Sequence, residues 1–146
     1  MKPFSRRMRK ITSTTLLVIF VFFAEQLTAA VKINFHFNSR IILNPGVDLV
    51  RQSITTVTLD ATQPYAVQLS DENAGNLVHE HHRIPYQVSY NDGVDRVLSA
   101  SPQTVESGTS VTNVSRNIAV TIRGHDTATA VAGEYNATLV VTITAF

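Results

Sequence analysis

The stretch Ala132–Phe146 reads A-G-E-Y-N-A-T-L-V-V-T-I-T-A-F. Tyr135, Ala137, Leu139, Val141, Ile143 and Ala145 fall at period two, with Asn136, Thr138, Val140, Thr142 and Thr144 between them. Successive side chains of an extended backbone point to opposite faces. Strict alternation therefore describes a strand with one face on a core and the other in a milder environment. β-branched residues fill the run and no proline interrupts it, as a sheet interior requires. Gly133 permits a sharp turn just before it. The strand stands last in the sequence, so it is expected to need a neighbour supplied from elsewhere.

Upstream, the same alternation recurs in shorter runs. Val31, Ile33, Phe35 and Phe37 share one face of V-K-I-N-F-H-F, and Lys32, Asn34 and His36 share the other. Arg40–Leu43 resumes as a second short strand, and Asn44-Pro45-Gly46 is a turn by composition. Strands are predicted over Ser53–Leu59, over Tyr65–Leu69 and over Arg83–Tyr90, where Pro85 belongs at a strand start or edge. Asn91-Asp92-Gly93 is a strong turn signal. A short strand is expected near Val97 or Val105, and a further strand over Asn117–Arg123 points Ile118, Val120 and Ile122 inward. His125–Ala132 reads as a loop. This makes roughly seven short strands, the pattern of an all-β, immunoglobulin-like sandwich, with a barrel as the rival fold.

Residues 1–30 stand apart. Lys2, Arg6, Arg7, Arg9 and Lys10 precede the apolar run Leu16–Ala24, and Thr28-Ala29-Ala30 offers small residues for cleavage. That is the pattern of a secretory signal peptide, too short for a membrane span. The whole chain carries 12 basic and 11 acidic residues. Five of the basic residues and Glu25 lie in the leader, so the remainder keeps 7 basic and 10 acidic residues, a net of −3. Such a balance does not suggest a nucleic-acid partner. There is no cysteine. An exported domain without disulfides must rest on its apolar core or on a partner strand.

Taken together, these segments resemble subunits of the chaperone–usher pilin family, near its cysteine-free F1-capsule and coli-surface-antigen-6 types. The residues that carry the likeness are the turn glycine Gly133, Tyr135 and the Val/Thr/Ile run that follows. V-K-I-N-F-H-F, N-S and R-I-I-L look like a donor strand followed by a first strand. P-Y-A-V-Q-L-S, I-P-Y-Q-V-S-Y-N-D-G and N-I-A-V-T-I match middle strands. The resemblance implies a signal peptide over 1–30, an N-terminal donor-strand extension over 31–38 and a sandwich domain over 39–146. It implies an incomplete sandwich, completed first by a periplasmic chaperone and then by the next subunit's extension. An outer-membrane usher and other pilin subunits would be further partners, a host receptor a possible one, and the cell surface the destination after export through the periplasm. Tyr135, Leu139, Val141, Ile143 and Phe146 would then be read by the chaperone.

The physics of such an extension suits Val31, Ile33, Phe35 and Phe37. An open groove exposes apolar surface and unpaired backbone, and an alternating segment fills both needs. Four plugs at about 1.5–3 kcal/mol each would contribute about 6–12 kcal/mol before ordering costs. Period two equally describes an ordinary first strand of a complete fold, and a complete monomeric sandwich that binds carbohydrate or metal is the alternative function.

Other signals are weaker. His79-Glu80-His81-His82 invites a metal reading, with His79 and His81 on one face of a strand, but ligation needs three or four converging donors. A solvated loop accounts for the run. Asn113-Val114-Ser115 and Asn136-Ala137-Thr138 match glycosylation sequons. Asp92, Asp95 and Glu106 could pair for acid–base work, yet nothing in the sequence gathers them. No nucleophile motif or phosphate loop is present, so neither catalytic residues nor a cofactor are expected.

Overall fold

The computed structural model describes residues 14–15, 32–37 and 40–146, those up to residue 40 through their backbone only. The leader apart from Thr14 and Thr15, together with Val31, Asn38 and Ser39, lies outside the described residues.

In chain order the strands are β1 (Thr14–Thr15), β2 (Lys32–Phe37), β3 (Arg40–Ile41), β4 (Leu49–Ala61), β5 (Tyr65–Asp71), β6 (Asn76–His79), β7 (His82–Pro85), β8 (Gln87–Tyr90), β9 (Gln103–Gly108), β10 (Val111–Ile122) and β11 (Leu139–Ala145). A single helical turn, α1 (Gly124–Thr127), separates β10 from β11. The fold is therefore all-β. Four strands form one sheet in the order β2-β4-β10-β8, and three form another in the order β11-β5-β9. β6 and β7 make a separate hairpin, and β1 pairs with β3. Every ladder among the described residues is antiparallel. Among the described residues the strands divide between separate sheets and do not close into one barrel.

The alternation in the sequence is realised as burial. Val57 and Leu59 of β4, Val67 and Leu69 of β5, Val88 of β8, Ile118 and Val120 of β10, and Leu139 and Val141 of β11 join one hydrophobic core. Both large sheets thus contribute to the same apolar interior. Removing each such side chain from water stabilises by about 1.5–3 kcal/mol.

The predicted turns take the backbone their residues permit. Asn91 and Asp92 both have positive φ, 49° and 57°, and Gly93 N–H donates to the Tyr90 carbonyl at 3.0 Å. Asn and Asp tolerate that region better than most residues. Gly46 has φ 75° in the Pro45–Gly46 turn, closed by Val47 N–H on Asn44 O.

Three differences from the sequence reading have physical causes. The strand expected over Arg83–Tyr90 breaks at Tyr86. Pro85 has no N–H to continue the ladder, and Tyr86 N–H turns to Gly75 O at 2.9 Å. β7 then pairs with β6 while β8 pairs with β10. The loop expected after Arg123 holds one helical turn. The Asp48 carboxylate accepts from Gly124 N–H at 2.6 Å, and Thr127 Oγ1 donates to Gly124 O at 3.0 Å. Finally, Asn76–His79 forms a strand that the Thr- and Val-rich runs elsewhere overshadowed.

Candidate functional site

β11 is the last strand of the three-stranded sheet and, among the described residues, pairs with β5 alone, in unbroken register from Leu139↔Asp71 to Ala145↔Tyr65. Two hydrogen bonds at its ends fix its parity. Phe146 N–H donates to Pro64 O at 2.8 Å, and Glu72 N–H donates to Thr138 O at 3.2 Å. In an antiparallel pair the backbone groups of alternate residues face the partner. Even-numbered residues of β11 therefore face β5. The N–H and C=O groups of Leu139, Val141, Ile143 and Ala145 face the outer edge, where no strand pairs among the described residues.

The same odd-numbered residues carry the apolar side chains. Leu139 is fully buried and Val141 nearly so, Ile143 is only partly buried, and Phe146 is 69% exposed. The inner face of the strand is thus tightly covered where it begins and loosens toward residue 146. Ile41, Leu49, Val105, Val111, Ala130 and Ile143 pack against the core only partly buried.

The approach to β11 is rigidly held. Tyr135 is 1% exposed, and its hydroxyl donates to Val131 O at 3.0 Å. Burial pushes its pKa up from the ordinary value. Val78 and Asn136 exchange both backbone bonds, at 2.8 and 2.9 Å, tying this segment to the β6–β7 hairpin. The His79 ring lies 5.3 Å from the Tyr135 ring, tilted at 48°. It also packs on Gly133 so closely that a Cβ there would overlap it. Gly133 therefore serves a close approach as well as a turn.

The structure places the remaining predicted residues as follows. Tyr135, Leu139 and Val141 enter the core together, Ile143 rims it, and Phe146 stands in solvent. The donor-strand extension expected over 31–38 is described only at Lys32–Phe37. The backbone of that part pairs with β4 of its own chain, from Lys32↔Asp60 to Phe37↔Thr55. It forms the edge of the four-stranded sheet, not of the sheet that holds β11. His79 ends β6 and His82 begins β7, with the turn Glu80-His81 between them, where Glu80 has φ 52°. His81 and His82 are exposed, and no group of three or more His, Cys, Asp or Glu suited to a metal gathers among the described residues.

The three carboxylates weighed for acid–base work part company. Asp92 is exposed in its turn. Asp95 Oδ1 lies 3.2 Å from Arg51 Nε as an ion pair, too poorly aligned for a hydrogen bond, and Asp95 Oδ2 accepts from Thr121 Oγ1. Glu106 of β9 is taken up in a network that the sequence did not announce. Arg116 of β10 meets it twice, at 2.8 and 2.9 Å, and the hydroxyls of Tyr65 and Tyr90 donate to it at 2.8 and 2.6 Å. The Arg116 bonds, aided by the two hydroxyls, lower the Glu106 pKa to about 2 in spite of partial burial. Burial and the Glu106 charge raise both tyrosines. A carboxylate so fully engaged is a tie between sheets, since Glu106 and Tyr65 belong to one and Arg116 and Tyr90 to the other.

A second carboxylate, Asp71, is entirely buried and accepts from Asn73 N–H at 3.1 Å and Gly75 N–H at 2.6 Å. It shapes the turn after β5. The buried Tyr86 hydroxyl lies near enough for the Asp71 charge to raise its pKa, after burial itself, but makes no well-formed hydrogen bond. The unpaired edge of β11 is left as the feature best placed to act on another molecule. No protein-family model matches this chain, and no curated protein matches it.

Proposed function

We propose that this chain is a structural and adhesive subunit of a chaperone–usher surface fimbria, joined to its neighbours by donor-strand complementation. The observation that carries the reading is the outer edge of β11. Its backbone groups at Leu139, Val141, Ile143 and Ala145 lack a paired strand among the described residues, while Leu139 and Val141 are core residues and Ile143 packs against the core partly buried. Such an edge is a template for strand addition.

The finer fold belongs to the same proposal. The order β4-β10-β8 is what strands B-E-D of an immunoglobulin-like sandwich would give, with β2 on the edge where a strand A would pair, and β5 and β11 would then correspond to C and F. The Tyr135 hydroxyl on Val131 O, just before β11, has the form of the tyrosine corner found at the start of strand F. In a complete sandwich the seventh strand pairs beside F, which is the outer edge of β11. A periplasmic chaperone, an outer-membrane usher and further subunits would be the partners of that edge, and a host receptor would be engaged elsewhere.

A second reading has one observation in its favour. Lys32–Phe37 pairs with β4 of the same chain, as the first strand of a self-sufficient, monomeric binding domain would.

The test uses the parity of β11. Val141→Pro removes a backbone donor from the outer edge and leaves the ladder to β5 intact. The fimbrial reading expects the unaltered chain to form fibres and the variant to stay folded, by circular dichroism, but monomeric by size exclusion. A chain that is monomeric at all concentrations, with or without a periplasmic chaperone, or a variant that polymerises as well as its parent, overturns it.

A further inference from the structure

We infer that β2 is a stowed donor. In the single chain it is parked on β4, and it must leave β4 before it can pair with β11 of a second copy. This rests on the fimbrial reading and adds to it a contact within the chain that holds polymerisation back.

Three observations converge. First, the segment has a home. Six consecutive residues pair antiparallel with β4, with Ile33 opposite Leu59, Phe35 opposite Val57 and Phe37 opposite Thr55. Those three β4 residues are all buried. Second, the home is an edge. Among the described residues β2 has one neighbour, whereas β4 is flanked on its other side by β10 over most of its length. An edge strand can leave without opening any other ladder. Third, a rival position exists in a different sheet. The outer edge of β11 runs for seven residues against the six of β2, and both read apolar at alternate positions. A segment whose alternate positions complete a second copy's core beside β11 cannot complete its own beside β4 at the same time. Binding to β11 is then weakened by the fraction of chains in which β2 is stowed.

A cysteine pair tests this directly, because the chain has no cysteine of its own. Asn34 and Thr58 are direct partners across the β2–β4 ladder, and Thr58 is not part of the buried core. In the full chain carrying Asn34→Cys and Thr58→Cys, the stowed state predicts a disulfide within one molecule, read by mass spectrometry of the monomer. The oxidised protein should polymerise about tenfold more slowly than the same protein after reduction, since the competent population is removed. Absence of the intramolecular disulfide, or equal polymerisation of oxidised and reduced protein while the unsubstituted chain forms fibres, overturns the inference alone. Failure of the unsubstituted chain to form fibres under any condition overturns the fimbrial reading and the inference with it.

Discussion

Arg116 grips Glu106 through two parallel contacts, Nε to Oε2 at 2.8 Å and Nη2 to Oε1 at 2.9 Å, across the boundary between the two large sheets. Bidentate geometry of this kind is stronger and more directional than a single charged contact. Tyr65 and Tyr90 complete the carboxylate's shell, so all of its main acceptor directions are used. With side chains only 15% and 20% exposed, Glu106 and Arg116 cannot exchange this partnership for water at no cost.

Removing one partner should therefore cost more than the pair is worth. Glu106→Gln leaves Arg116 a half-buried charge without its counter-ion, and a loss of about 2–4 kcal/mol is expected. Urea denaturation of the single variants and of Glu106→Gln with Arg116→Met gives the coupling energy. A double variant more stable than Glu106→Gln alone is the expected result; strict additivity would show that the two groups do not act together.

The same network sets a pH dependence. The folded pKa of Glu106 is lowered from 4.5 to about 2. The group therefore contributes stability that is fully present above pH 4.5 and is lost as pH falls from there toward 2. The shift corresponds to at most about 3 kcal/mol. Tyr65 and Tyr90 are raised above their ordinary 10.0, so their contribution is present below that value and declines as pH rises beyond it. Melting temperature followed from pH 6 down to about 2 should fall more steeply for the parent than for Glu106→Gln. Parallel curves would remove Glu106 from the account.

Much of the fold was legible because it is written in period two. The inward residues of β4, β5, β10 and β11 follow the alternation, and Asn91-Asp92 carry the turn that their side chains favour. Leu77 and the rest of β6 were not legible. The run is short, and the histidines after it masked the hairpin they bracket. Tyr86 could not be foreseen as a break, since its neighbours alternate perfectly and only the remote Gly75 carbonyl draws its N–H away. β11 was legible as a strand from its strict alternation. The place of β2 was not, because periodicity states which face a residue takes and is silent on which strand lies beside it. The Glu106 network escaped for a similar reason. Tyr65, Tyr90, Glu106 and Arg116 lie on four strands, and only the topology brings them together.

Tyr135 offers a test of the segment that leads into β11. Tyr135→Phe keeps the buried ring and deletes only the hydroxyl that donates to Val131 O. Val131 is 45% exposed, so water can reach that neighbourhood once the hydroxyl is gone, and the loss should be about 0.5–1.5 kcal/mol. Tyr135→Ala also empties a core position and should cost about 3–5 kcal/mol, by analogy with other large aromatic deletions. Thermal denaturation of the two variants separates the bond from the ring; equal losses would mean that the hydroxyl carries the whole effect.

Gly133 and His79 make a pair that a double substitution can isolate. Any Cβ at Gly133 meets the His79 ring, while φ at this position is not in the left-handed region, so the obstacle is the ring and not the backbone. Gly133→Ala should destabilise by about 1–3 kcal/mol, the usual cost of overpacking. His79→Ala removes the obstacle, and in that background the same Gly133→Ala change should cost little or nothing. A penalty that persists without the ring would place the strain in the chain path itself, and the close approach of His79 would no longer explain why glycine stands before the final strand.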